Sequence, residues 1–489
     1  EEASPPQPSL LNMSSAEAGR FFCTAGRGME PFLARELHTR LGAAEVDSVS
    51  GKVFFSTAAG LGELSKLRSG ERLFLLVKKH RALQVARNKG KMLHEIKSLV
   101  VGEPKYWLDI ISVWRKLHGH EGKKDDVSRE ENTLPVKRKS EEETNTASKR
   151  QKMEQAVSEE CQVEAAERCV SPERMNHQEC STESEISSEL LSKGSGENPT
   201  ANHHLSFTFR VSCRCSGAIA KILTPQEIGR AIGVALVKQF GWRVDLRNPD
   251  LEIFVHLNDI HSVVGIPLFR LPLANRDYIR TAGLRSTVAW AMASLAEISA
   301  GALVLDPMCG LGTILLEAAK EWPEAFYWGA DISDSQLEGA DGNIRAAGLV
   351  DKIELLQASV KALPLPSESF DSIISDIPFG KKFKVTNDTQ LLPGILQEME
   401  RLLRVGGTLI LLLSQDLHQL MDNLTKKSAG NDSSEPKKTL NNGNSSSLAN
   451  GGGESFRFLV PDGVFGVSLG KTDAFIHKFR KISPPAGNW

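Results

Sequence analysis

Long apolar runs are missing from this 489-residue chain. No stretch reaches the ~18 uninterrupted apolar residues that a membrane-spanning helix needs. Aromatic residues make up only 6% and tyrosine occurs 3 times, whereas apolar residues reach 40% and charged residues 25%. That balance describes a soluble globular chain with some disordered passages, and the length leaves room for about three domains. The opening EEASPPQPSL has neither a basic nor an apolar signal region, so no secretory signal is expected there. It also begins without methionine, which leaves an upstream piece open.

Cysteine pairs are lacking too. Cys23, Cys161, Cys169, Cys180, Cys213, Cys215 and Cys309 are odd in number and scattered, with no CxxC. This speaks against a disulfide framework or a tetrahedral zinc site and for a reducing compartment; no metal is expected. Cys213 and Cys215 alternate on a predicted strand and read as packing. Nor is there a net charge of either sign to speak of: 59 basic against 61 acidic residues leave −2. The near-balance conceals a division, with 18 basic against 9 acidic residues from Arg20 to His118, and 12 against 19 from Gly119 to His204. A polyanionic partner therefore stays compatible with the neutral total.

Composition divides the chain. After a disordered start (1–19), residues 20–118 read as a compact α/β module, with a strand at FFCTAG, a helix from Met29 to about Leu41 and a strand at GKVFFST. Residues 119–204 hold too few apolar positions to offset their ordering entropy, so disorder is expected. Residues 205–270 return to globular patterning. Thr224, Pro225 and Glu227 open a helix as N-cap, first-turn proline and capping-box acid. GWRVDLRNPDLEIFVHLND follows as two strands joined at Asn248-Pro249-Asp250. Residues 275–489 alternate strands and helices, with a flexible Ser/Asn/Gly loop at 426–455.

The chemistry is concentrated between Gly301 and Ser414. ALVLDPMCGLGTILLEAAKEW is a strand ending at Asp306, a turn at Gly310 and Gly312, and a helix opened by Thr313. Such a helix start offers free amides to a carboxylate or phosphate. The third glycine of a dinucleotide fingerprint would fall at Leu315, and no Gly-Lys-Ser/Thr ending follows, so a nucleoside ligand without a diphosphate fits best. FYWGADIS ends in Asp331, placed either to accept hydrogen bonds from ribose hydroxyls or to start the next helix. A later strand ends in Asp376-Ile377-Pro378-Phe379-Gly380. A carboxylate and peptide carbonyls there can hold a planar amine while the ring stacks on a base; a plain strand-end turn is the bland alternative. A helix, the Gly406-Gly407 turn, the strand TLILLLS and a closing hairpin complete a seven-stranded, mostly parallel sheet.

DPMCGLGT, GADIS and SDIPFG resemble the S-adenosylmethionine-binding and active-site motifs of Rossmann-like methyltransferases, and GWRVDLRNPDLEIFVHL with RLPLANRDYIRTAGLRSTVAWAM resembles the THUMP-domain RNA guanosine-N2 methyltransferases. The resemblance covers nearly the whole chain except the two insertions. It implies an α/β fold: an α+β ferredoxin-like domain, a THUMP domain, and a Rossmann-like methyltransferase domain with S-adenosylmethionine as cofactor. It further implies that Asp306, Gly310 and Gly312 cradle the methionine moiety and Asp331 the ribose hydroxyls, with Cys309, Thr313 and Ile332 also at the cofactor. Asp376 and Pro378 would hold the guanine amine with Phe379 against the ring. Ser359 stands where the family often has an Asp toward adenine. Arg243, Arg247, Lys381 and Lys382 are candidate RNA contacts or ordinary surface charge, and Lys78–Lys97 is a denser basic run.

Lys137-Arg138 and Lys149-Arg150-Gln151-Lys152 are spaced like a bipartite nuclear-import signal, which points to a transfer RNA precursor or a small nuclear RNA as substrate. The family resemblance also implies a small zinc-containing activator subunit, for which the edge strand Ile353–Gln357 is the candidate dock. Two other readings stay open on sequence: an RNA chaperone without turnover, and an enzyme acting on adenine N6 or a protein glutamine.

Overall fold

A computed structural model describes residues 18–119, 207–377, 385–430, 458–470 and 472–483. Residues 1–17 of the expected disordered start, 120–204 of the insertion with its basic clusters, and Pro378, Phe379, Lys381 and Lys382 lie outside the described residues, as does most of the 426–455 loop. The chain divides into two compact units, one of residues up to Leu76, Val113–Gly119 and Pro267 onward, the other of Val77–Ser112 and residues 120 to Ile266.

The first unit begins with β1 (Gly19–Thr24), α1 (Glu30–Leu41), β2 (Ala44–Val49), β3 (Lys52–Thr57), the short α2 (Leu61–Leu64) and the start of β4 (Leu73–Arg81). Strand order is β2-β3-β1-β4. Phe32, Leu33 and Leu37 of α1 are buried, as their helical spacing predicts.

The second unit holds the rest of β4, α3 (Lys89–Val101), most of α4 (Pro104–Leu117), β5 (Thr208–Cys215), α5 (Pro225–Phe240), β6 (Arg243–Val244), β7 (Leu251–Leu257) and β8 (His261–Pro267). Its order is β4-β8-β7-β5-β6. The capping box forms as the sequence requires: Thr224 Oγ1 accepts from the Glu227 amide at 3.2 Å, and Glu227 accepts from the Thr224 amide at 2.8 Å. The two strands flanking Asn248-Pro249-Asp250 are β6 and β7, but they do not pair. β5 lies between them, parallel to both. Burial of Phe209, Leu251, Ile253 and Val255 accounts for that insertion, because the most apolar strands take the interior of the sheet.

The first unit resumes with α6 (Ser286–Leu295), β9 (Leu303–Asp306), α7 (Thr313–Glu321), β10 (Phe326–Asp331), α8 (Asp334–Ala347), β11 (Ile353–Gln357), β12 (Phe370–Asp376), α9 (Val385–Leu402), β13 (Leu403–Ser414), α10 (Gln415–Gly430), β14 (Leu459–Ser468) and β15 (Asp473–Lys481). These form a seven-stranded sheet of order β11-β10-β9-β12-β13-β15-β14, in which β15 alone runs against the other strands. The chain reverses direction across the sheet between β9 and β12, so their carboxyl ends flank the crevice where this architecture takes ligands. Gly406 and Gly407, expected as a turn, lie inside β13. Gly406 takes φ +80°, and the ladder slips between Phe370 and Ser372 of β12, so the glycines form an irregularity within the strand.

Leu392, Leu396 and Met399 of α9 recur at helical spacing and pack with Leu417 and Met421 of α10 on Ile373, Leu409, Leu411 and Phe479 of the sheet. Each such side chain contributes about 1.5–3 kcal/mol by leaving water. The β14–β15 hairpin also meets the amino-terminal layer of this unit, where Ser468 N donates to Arg27 O at 2.9 Å. Gly28, at φ +87°, lies so near Gly466 that a Cβ would fall 2.0 Å from its carbonyl oxygen.

Candidate active site

Three neighbouring parallel strands, β10, β9 and β12, each end on an aspartate: Asp331, Asp306 and Asp376. The turn after β9 is fixed by hydrogen bonds from both sides. Cys309 N donates to Ala330 O at 2.9 Å, Gly310 N donates to Asp331 Oδ2 at 2.9 Å, and Gly312 N donates to Cys309 O at 2.8 Å. Gly310 and Gly312 both have positive φ, at +50° and +76°. A Cβ on either would have nothing nearer than 3.4 Å, so the space against the turn is not packed with described protein atoms. The first turn of α7 beyond it leaves amides without intrahelical partners.

The carboxylates differ in their surroundings. Asp306 is buried, and its Oδ1 accepts from Met308 N at 3.2 Å and Ser375 Oγ at 3.0 Å. Burial pushes its carboxyl up to about 8, with the nearby Asp376 and Asp331 charges adding to the rise against those two hydrogen bonds. Asp376 is pushed up to about 7 by burial. Its Oδ1 has no hydrogen-bond partner among the described residues, and neither does Thr313 Oγ1 at the start of α7. A buried acceptor and a buried hydroxyl without partners are costly unless a ligand completes them. Asp331 uses Oδ2 for Gly310 N and Oδ1 for Ser333 N at 2.8 Å, yet each oxygen keeps a lone pair for another donor.

Ile332 beside it is 72% exposed, a large apolar surface at a strand tip. Asp331 O accepts from Ala358 N at 3.1 Å, which brings the half-buried Ser359 to the same rim. Cys309 is different: its side chain is buried, and its Sγ occupies the space a Cβ at Gly329 would need. The chemistry of the set favours a ligand with cationic groups, a carboxylate for the helix start and hydroxyls for Asp331. Three carboxylates would repel a diphosphate.

Arg243 and Arg247 are both exposed in the second unit, at and just after β6. Of the basic run 78–97, Lys79, Arg81, Arg87, Lys89 and Lys91 are exposed. These residues belong to the second compact unit, whereas the carboxylates belong to the first.

Two supports escaped sequence reasoning. Asn343 of α8 is fully buried, and its side chain makes four hydrogen bonds: Oδ1 accepts from Arg280 N and Thr281 N at 2.8 and 3.1 Å, and Nδ2 donates to Thr281 O and Leu311 O, each at 3.1 Å. It thus ties the segment before α6 to the residue between Gly310 and Gly312. Below it, Arg276 donates to both oxygens of Glu317 on α7 at 3.0–3.2 Å and to Arg68 O at 2.9 Å, while Tyr278 Oη donates to Glu317 at 2.7 Å. The RDYIRTAGLR segment was visible as a motif, but nothing local pairs it with residues some 40 or 60 positions on.

Comparison with known proteins agrees with this architecture. Residues 274–448 match the RMKL-like methyltransferase domain family, and residues 188–266 match the THUMP domain. The chain is 52% identical to the U6 snRNA (guanine-N(2))-methyltransferase THUMPD2 of Bos taurus, over 96% of this chain and 97% of that protein. It is 51% identical to the protein of the same name from Homo sapiens, again over 96% and 97%. Among solved structures it resembles TrmN from Thermus thermophilus, with a TM-score of 0.58 at 20% identity over 95% of this chain and 99% of that one, a likeness of fold.

Proposed function

The chain belongs to the THUMP-domain RNA guanine-N2 methyltransferases, which depend on S-adenosylmethionine, and from that premise we propose that it forms N2-methylguanosine in U6 small nuclear RNA. The observation that carries the reading is the trio Asp306, Asp331 and Asp376 at adjoining strand ends beside an open glycine turn.

Bound there, S-adenosylmethionine supplies an electrophilic methyl group on a sulfonium. Asp306 offers negative charge to its cationic groups, Gly310, Gly312 and Thr313 receive the methionine end, and Cys309 contributes backbone to the turn. Asp331 accepts from the ribose hydroxyls, Ile332 lies against adenine, and Ser359 bonds its edge. Asp376 Oδ1 accepts a hydrogen bond from the guanine exocyclic amine and takes its proton. A carboxyl held near 7 is matched to that task at neutral pH. Pro378 contributes the neighbouring carbonyls, and Phe379 stacks on the base. Arg243, Arg247, Lys381 and Lys382 meet RNA phosphates, which position the substrate without reading its sequence.

A small nuclear RNA substrate places the protein's work in the nucleus, with the basic clusters of Lys137–Lys152 as the import signal. A small zinc-containing activator subunit docks on β11. That strand ends the order of its sheet and pairs with β10 alone among the described strands, which supports strand addition at its free edge.

Unmodified U6 RNA incubated with S-adenosylmethionine and the full chain, alone and with the activator, tests the proposal by nucleoside mass spectrometry. N2-Methylguanosine is expected. Asp376→Asn should lower its rate ~10²–10⁴-fold while calorimetric cofactor affinity stays within a few-fold of wild type. Methylated adenine, or an unmodified U6 beside another methylated RNA, overturns the proposal.

A further inference from the structure

Beyond the carboxylates, α10 and β15 bring three metal-binding side chains to one point. His418 and Asp422 stand one helical turn apart on α10, and His477 lies on β15 opposite Leu411 of β13. His418 Nδ1 is 2.9 Å from His477 Nε2 and 3.7 Å from Asp422 Oδ1. One donor atom from each of the three lies within 4.8 Å of the others.

Both rings are held by aromatic neighbours. Phe475 stacks on His418 with centroids 4.0 Å apart and planes 17° apart, and Phe479 lies nearly parallel to His477 at 5.9 Å and 13°. The imidazole planes are inclined at 54° to each other, so their nitrogens meet edge to edge instead of stacking. His477 is buried, whereas Asp422 is 44% exposed, which leaves one side open to water.

We propose that His418, Asp422 and His477 form a divalent transition-metal site, filled by zinc, that clamps α10 to β15. Two imidazoles with one carboxylate suit zinc and its neighbours over calcium or magnesium, which prefer oxygen donors. A tetrahedral ion with bonds of roughly 2.0–2.1 Å sets its ligand atoms about 3.3 Å apart. The 2.9 and 3.7 Å separations straddle that spacing and the third pair lies within 4.8 Å, so side-chain movement on the order of an ångström admits the ion. Water completes the fourth position on the open side.

The clamp has a defined place. The registers put His477 opposite Leu411, and Leu411 beside Ser375, the residue that donates to Asp306. An ion at the cluster therefore fastens the strand row that ends beside the carboxylates.

The test uses the full chain freed of metal by a chelator, with zinc chloride titrated against a chromogenic competitor. Wild type should take up one more zinc per chain than His418→Gln, and zinc should raise the melting midpoint of wild type but not of the variant. Loss of an outer partner of a metal site already lowers affinity roughly 10–100-fold, so loss of a ligand should lower it at least that far. Asp422→Asn, at an exposed position, carries the same comparison should His418→Gln fail to fold. Equal zinc uptake by wild type and variants, or none at micromolar zinc, overturns the site and leaves a histidine pair joined by one hydrogen bond.

Discussion

Ser375 Oγ donates to Asp306 Oδ1 at 3.0 Å, joining β12 to β9 where the sheet reverses its winding. Both side chains are buried. Ser375→Ala removes one of the two hydrogen bonds that oppose the rise of the Asp306 carboxyl. A hydrogen bond to a charged acceptor contributes about 1.5–3 kcal/mol. Calorimetry should therefore find S-adenosylmethionine bound roughly 10–100-fold more weakly at neutral pH, with the far-ultraviolet circular dichroism unchanged. Unaltered affinity would remove Asp306 from the cofactor site.

Turnover should climb about tenfold per pH unit below pH 7 and level off above it, because Asp376 takes up a proton only as a carboxylate and burial holds it near 7. Cofactor affinity should tighten between pH 6 and 8 as Asp306, held near 8, gains charge. S-Adenosylhomocysteine, which lacks the sulfonium, should respond less. Stability runs the other way. Both carboxyls titrate near 4 in the unfolded chain, so the folded state binds more protons. Their contribution is complete below pH 4 and lost as pH rises through 7–8. The ligand-free melting midpoint should fall across that range.

Asn343→Ala should lower the free energy of unfolding by about 2–4 kcal/mol, since it removes the side chain that bonds two amides and two carbonyls. The loss should appear equally in cofactor binding, because one of those carbonyls belongs to Leu311 in the glycine turn. Chemical denaturation and calorimetry on the same variant measure both effects.

Arg276→Ala leaves the Glu317 carboxylate buried beside Tyr278 without its cation. Breaking such a pair costs about 3–5 kcal/mol. Replacing both partners together, as Arg276→Met with Glu317→Leu, should recover a substantial part of that loss in thermal melts.

Local chemistry made much of this site readable in the sequence. Strands ending at Asp306, Asp331 and Asp376 are apolar runs cut off by a carboxylate, and Gly310 and Gly312 announce a turn because only glycine sits easily at positive φ. Thr224 and Glu227 likewise cap a helix through neighbours three residues apart. What stayed hidden depends on partners distant along the chain. Asn343 reads as one polar residue in GNIRAAG, and its role exists only when Arg280, Thr281 and Leu311 arrive around it. His418 and His477 are separated by the whole 431–457 segment. The sheet neighbours of β6 and β7 stayed hidden for the same reason: Asn248-Pro249-Asp250 is a genuine turn signal, but turns do not record that β5 takes the place between the flanking strands.

Synthesis order gives the position of β15 a further meaning. This strand is hydrogen-bonded to β13 on one side and β14 on the other, although both leave the ribosome before it. The nascent chain must therefore hold a gap in its sheet, with the strongly apolar β13 lacking one neighbour, until residues 473–481 emerge. A message truncated before those codons would yield a chain that carries every carboxylate of the site and no finished sheet to hold them, the kind of product that chaperones retain and proteases clear.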